Sequence, residues 1–248
     1  MVTYMRRFLG ILCCLFTVCA CDKHDPVLPG VRIPIFAENK IHILNKDIHN
    51  IPKSAHTIDN SSCRYTLDSN NTVWDGDRKI FTGFPTNNTV SATRKPVCHN
   101  GHVYAGLSTG ELVKINPNTR QIAWIADIYQ PSNMTGGASI VDIIAPVIPF
   151  GDSVYVGGLG DAFCRIKTTS GATKWCLNIG VSVPFVIAGE HAFVVGTDNN
   201  LYAVLLSDGS VYWRSPVQEQ TPPTYTPDYI TVGDEKFLIS NGKKILDK

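Results

Sequence analysis

The side chains able to do chemistry are scattered through this sequence. His99 and His102 stand three residues apart in "HNGH" (99–102), a short-range pair of metal-type ligands. They flank an Asn-Gly turn, so they project differently, and no third ligand of a metal site lies near them. Asp161, Asp198 and Asp208 sit singly among turn residues. There a carboxylate usually accepts bonds from the nearby backbone, whereas calcium wants about six to eight converging oxygens. No G-x-S-x-G or phosphate-binding loop occurs. "GGLGDA" (157–162) follows one strand and opens another, so it lacks the helix that a dinucleotide turn requires. These residues predict no catalytic group, no metal and no cofactor.

The cysteines are more informative. Arg6 and Arg7 precede an apolar run over 8–20. A bilayer crossing takes about 20 such residues, so the run fits the core of a secretory signal better than a spanning helix. It ends in "VCAC" (18–21), an aliphatic residue, two small ones and Cys21. That pattern resembles the lipobox of bacterial lipoproteins, in which the cysteine sulfur carries lipid and becomes the new N-terminus. The expected division is a lipoprotein signal peptide over 1–20, the lipidated Cys21 with a Pro-rich tether over 21–37, and a folded body over 38–248. Several acyl chains at one terminus give stable membrane anchoring where a single chain gives marginal binding. Asp22 resembles an inner-membrane retention signal, which leaves the inner membrane as an alternative to the outer. Export also implies an oxidising compartment for the body cysteines 63, 98, 164 and 176. Cys164 and Cys176 flank a hairpin turn and either bridge across it or stand as buried thiols.

The elements that position these groups are short strands. The 248 residues are 44% hydrophobic and 17% charged with a formal charge of +1, and no Lys/Arg stripe points to nucleic acid. No stretch after the tether holds a helical period. Three stretches, 95–124, 145–175 and 183–213, superpose instead. In each, a proline (Pro96, Pro146, Pro184) stands five residues before a turn glycine (Gly101, Gly151, Gly189), and a tryptophan follows that glycine by 23, 24 and 24 residues. Two period-2 runs lie between. Repeats of about 40 residues with four strands mark β-propeller blades. The expected fold is therefore all-β, a propeller of four-stranded antiparallel blades, incomplete or with few blades. Whole blades are expected over about 95–128, 145–180 and 183–217. A last hairpin ending at Trp74 (about 61–76) and a first half-blade (about 225–248) remain as partial units. These either complete one blade and close the ring or leave the array open. The 227 residues after the signal hold about five or six blades at roughly 40 residues each. Trp74, Trp124, Trp175 and Trp213 are the expected packing residues between blades.

The pattern G-x-L/A-x7-G-x3-W resembles the PQQ-type propeller repeat. With the lipobox, the tether, the third blade and "GGASIVDIIAPVIPFG" (136–151), it is similar to the BamB-like lipoproteins of outer-membrane β-barrel assembly. The resemblance covers roughly 90–217. It implies a non-enzymatic, lipid-anchored scaffold at the periplasmic face of the outer membrane. It implies as partners the periplasmic domains of a BamA-like barrel-assembly protein and nascent outer-membrane proteins. Family members usually have eight blades, more than this chain can hold. The alternative in the same superfamily is a PQQ-dependent dehydrogenase or its non-catalytic remnant, which would need a full ring, calcium ligands and a catalytic aspartate.

Trp124 and Trp175 lie 51 residues apart against 38 for Trp175 and Trp213, so the first junction carries an insertion. Long loops on a rigid scaffold are common binding sites. Ser132, Asn133, Met134, Thr135, Ile140, Val141 and Asp142 are the expected partner-binding residues. The loop has only Asp142 where the family carries more charge.

Overall fold

The structure, a computed structural model, describes residues 41–56, 60, 62–86, 95–128 and 140–246. These belong to a compact unit, Glu38–Lys248, and contain no helix. The strands form five antiparallel sheets in which every strand pairs with its sequence neighbour. The first sheet holds β1 (Tyr65–Leu67), β2 (Thr72–Asp75) and β3 (Arg78–Thr82). The second holds β4 (Val97–His99), β5 (His102–Gly106), β6 (Glu111–Asn116) and β7 (Gln121–Asp127). The third holds β8 (Ile148–Phe150), β9 (Ser153–Gly158), β10 (Ala162–Lys167) and β11 (Thr173–Leu177). The fourth is β12 (Val186–Ala188), β13 (His191–Val195), β14 (Asn200–Leu205) and β15 (Val211–Pro216). The fifth is β16 (Thr224–Tyr225), β17 (Tyr229–Val232), β18 (Glu235–Leu238) and β19 (Lys244–Ile245). The fold is a β-propeller built from blades of three or four strands.

Burial follows from stacking. A strand inside a stack of sheets is covered on both faces, so its side chains are apolar at consecutive positions. Along β5, Val103 and Ala105 pack toward β2 and β3, while Tyr104 packs toward β9 and β10. The second and third sheets join through Leu112, Trp124 and Ala126 against Val154, Val156 and Ile166. The third and fourth join through Tyr155 and Phe163 against Ala192, Val194 and Tyr202. Phe193, Leu201 and Trp213 meet Ile230, Val232 and Phe237 between the fourth and fifth. Each successive pair of sheets thus owns one hydrophobic layer.

Both expected partial units differ from the sequence reading. The first is not a last hairpin: β3 follows Trp74 and places that tryptophan in the middle strand. At the other end, 225–248 is not half a unit but belongs to a four-stranded sheet, closed by the Asn241–Gly242 turn and β19. A two-residue strand is too short to show period-2 alternation, which is why the sequence hid it.

Residues 41–56 add a strap. The Leu44 and Lys46 amides donate to the carbonyls of Val211 (2.9 Å) and Tyr212 (3.1 Å), and Ile43 makes a parallel bridge to Val211. Farther on, the Ile48 amide reaches Ser240 (2.8 Å) and the His56 amide reaches Ile187 (2.7 Å). The outer edge of β15 is therefore capped by the chain itself, as exposed sheet edges require.

Candidate functional site

Rigid presentation of loops begins with the joints between sheets. The Trp124 indole donates to the Thr168 carbonyl (2.9 Å), that of Trp175 to Leu206 (3.2 Å) and that of Trp213 to Ile239 (3.0 Å). Each acceptor lies three residues before a glycine of positive φ in the next sheet: Gly171, Gly209 and Gly242. Those glycines lie flat against the rings; a Cβ on Gly209 would stand 2.9 Å from Trp175 Cδ2. A positive φ and a missing Cβ are both needed at this turn, which selects glycine. Cations reinforce two of the joints. Lys114 Nζ shares the Thr168 carbonyl with Trp124 (2.9 Å), and Arg165 Nη1 shares Leu206 with Trp175 (3.1 Å). Burial lowers the Lys114 ammonium pKa from its ordinary value. The Ser153 hydroxyl, then Arg165, hold the Asp152 carboxyl below its ordinary pKa.

The connections from sheet to sheet share one end with the β1–β2, β5–β6, β9–β10 and β13–β14 turns, as antiparallel order demands. Backbone hydrogen bonds pin them there. The Ile143 amide donates to Leu107 of the second sheet (3.1 Å), and the Leu159 amide of the third donates to the Asp142 carbonyl (2.9 Å). In the same way Val181 donates to Gly158 and Gly180 accepts from Thr197, both at 2.9 Å. The connectors are thus clamped between two sheets at Asp142–Ile143 and at Gly180–Val181. Beside the first connector, Asn71 Nδ2 donates to Ser108 Oγ (2.8 Å) and to the Phe84 carbonyl (2.7 Å), and the Ser108 amide donates to Asn71 Oδ1 (2.9 Å). The Phe84 backbone is held while its ring is 75% exposed, and Ile140 is 49% exposed. An ordered backbone that carries an exposed apolar side chain loses no further main-chain entropy when that side chain is covered.

The expected partner residues separate here. Ser132, Asn133, Met134 and Thr135 lie outside the described residues, as does Cys21. Ile140 is exposed and Val141 half-buried, packed where a side chain on Gly160 would stand. Asp142 is 1% exposed. It serves the joint between the second and third sheets rather than the surface, a correction to its expected partner contact. Trp74 is likewise displaced from the blade-packing role: its indole donates to Asp68 Oδ2 (2.9 Å) within its own hairpin.

Cys164 and Cys176 are directly opposite on β10 and β11 and form a disulfide. A second disulfide, Cys63–Cys98, spans 35 residues between the first sheet's lead-in and β4. The sequence signals only its parity of cysteines, not the pairing.

His99 Nε2 and His102 Nδ1 contact Asn100, its Nδ2 at 3.0 Å and its carbonyl at 2.9 Å. Asp198 Oδ2 accepts from Tyr202 (2.5 Å) and Asn200 (2.8 Å), and Asp208 Oδ1 from the Ser210 amide (2.8 Å). Burial, then Asp198, raises the Tyr202 hydroxyl pKa above its ordinary value. Among the described residues, no three His, Cys, Asp or Glu side chains gather where they could hold a metal ion.

A family model described as outer membrane protein assembly factor BamB matches residues 29–215. The BamB of Shewanella oneidensis is 22% identical over 173 residues, 68% of this chain and 42% of the relative. That of Vibrio cholerae is 27% identical over 166 residues, 64% of this chain and 42% of the relative. The chain thus spans about two fifths of the length of the curated relatives it matches. Among solved structures, BamB from Moraxella catarrhalis superposes with a TM-score of 0.52 at 16% identity, covering 79% of this chain and 66% of that one.

Proposed function

Since the chain belongs to the family described as outer membrane protein assembly factor BamB, we propose that it is a non-enzymatic scaffold of outer-membrane β-barrel assembly. In this reading it is lipid-anchored through Cys21 at the periplasmic face of the outer membrane. It docks on the periplasmic domains of the barrel-assembly protein with the end of the propeller that carries Phe84, Ile140 and Val141. The family match supports the pathway. The observation that carries the mode of action is the clamped connector: Ile143 and Asp142 fix the backbone to two sheets and leave the Ile140 side chain outward. Such a surface recognises a folded partner with a complementary apolar patch, consistent with the apolar anchors that dominate interface energetics.

The anchor is tested by growing cells with an alkyne-tagged fatty acid and fractionating them. Wild-type chain is expected in the outer-membrane fraction carrying label, and Cys21→Ala is expected unlabelled in the soluble periplasm. Label persisting on Cys21→Ala would refute the lipid attachment, and wild-type chain recovered in the inner membrane would refute the placement.

A further inference from the structure

Three of the four sheet joints carry the same lock and the first does not. The lock positions follow from backbone register. The amides of Ile128 and Val217 donate to Gly110 and Asn199 of their own sheets, and Trp124 and Trp213 stand four residues before those donors. In the first sheet the equivalent bond runs from the Gly83 amide to Asn71. In β3 a β-bulge at Ile80 then intervenes, Ile80 and Phe81 take the face toward the second sheet, and the strand carries no tryptophan to reach across.

The receiving side has changed as well. Gly171 and Gly209 stand four residues before Trp175 and Trp213, and the corresponding residue before Trp124 is Arg120, with φ 58°. Donor ring and glycine cradle are thus both missing at the joint between the first and second sheets. Among the described residues the first sheet also has three strands where the others have four. At this joint alone among the described ones, a disulfide ties two consecutive sheets: Cys98 lies on β4, and Cys63 leads into β1. Cys164–Cys176 lies within one sheet. Around Cys98, Asn60 Oδ1 accepts from the Cys98 amide (3.1 Å) and Asn60 Nδ2 donates to the Pro96 carbonyl (2.9 Å).

We infer that Cys63–Cys98 is an oxidation-dependent clasp that takes the place of the tryptophan lock and holds the first sheet on the second. On closing, the two thiols give up two protons and two electrons to a disulfide oxidant, whose own S–S bond is cleaved to two thiols. A dithiol reductant reverses the exchange and is itself oxidised to a disulfide. With the clasp open, the first sheet is held on the second by the Val73–Ile80 layer with Phe81 beside it, by hydrogen bonds of Ser108 to Asn71 and Thr86, and by the Asn60 bonds to Pro96 and Cys98. Sub-global opening of this one blade follows, exposing Val103, Ala105, Val113 and Ile115, because weakly held units open below the global free energy.

The test is amide hydrogen exchange on the full chain, comparing wild type with Cys63→Ser/Cys98→Ser and with Cys164→Ser/Cys176→Ser. Opening the clasp should speed exchange across 65–82 at least tenfold and leave 191–205 unchanged; removing the other disulfide should leave 65–82 unchanged. Unchanged exchange over 65–82 without Cys63 and Cys98 would overturn the clasp, as would faster exchange through every sheet.

Discussion

Replacing Trp213 with alanine is expected to destabilise the protein by about 3–5 kcal/mol, the usual range for deleting a large buried aromatic. The ring is 3% exposed and packs on Phe193 with centroids 5.9 Å apart. Its indole N–H satisfies the buried Ile239 carbonyl of the next sheet. Truncation removes both contacts and leaves that carbonyl without its donor, a cost of about 1–3 kcal/mol within the total. Chemical denaturation measures it as a lowered midpoint at unchanged slope. Trp74→Ala should cost less, about 1–2 kcal/mol, because that indole bonds only within its own hairpin and spans no joint. Equal losses for the two variants would show that position in the register does not matter.

The second large effect concerns the receiving glycine. Gly209→Ala is expected to cost about 2–4 kcal/mol, combining strain at φ +79° with a methyl group driven into the Trp175 ring. The two contributions separate in a double-mutant cycle with Trp175→Ala. Removing the ring relieves the clash, so the two losses should fall short of additivity by about 1–3 kcal/mol. Strict additivity would mean that ring and glycine do not act together.

Much of this architecture is legible in the sequence. Trp124, Trp175 and Trp213 recur in register because each is the last-strand residue that must reach the following sheet. The same logic misled at Trp74, where residue type matched but strand did not: Trp74 lies on β2, the middle strand, with β3 still to follow. Asp142 reads as a surface carboxylate in a Gly-rich insertion, yet the connector's clamping turns it inward. The Cys63–Cys98 pair stayed hidden because it joins different sheets, and spacing along the chain carries no distance between sheets. Phe84 drew no notice because a lone aromatic beside Gly83 and Pro85 has no period; its exposure and the Asn71 bond to its carbonyl are visible only in the fold.

The central claim is that the connector end of this propeller docks on the barrel-assembly machinery, and recovery of that machinery with the tagged chain tests it most directly. Wild-type chain and Phe84→Asp/Ile140→Asp would be purified from detergent-extracted membranes at matched expression and matched thermal stability. The barrel-assembly protein should co-purify with wild type and fall at least tenfold with the double variant, since burying two carboxylates in an apolar contact costs several kcal/mol. Equal recovery with both chains, or no recovery with wild type, would contradict the account.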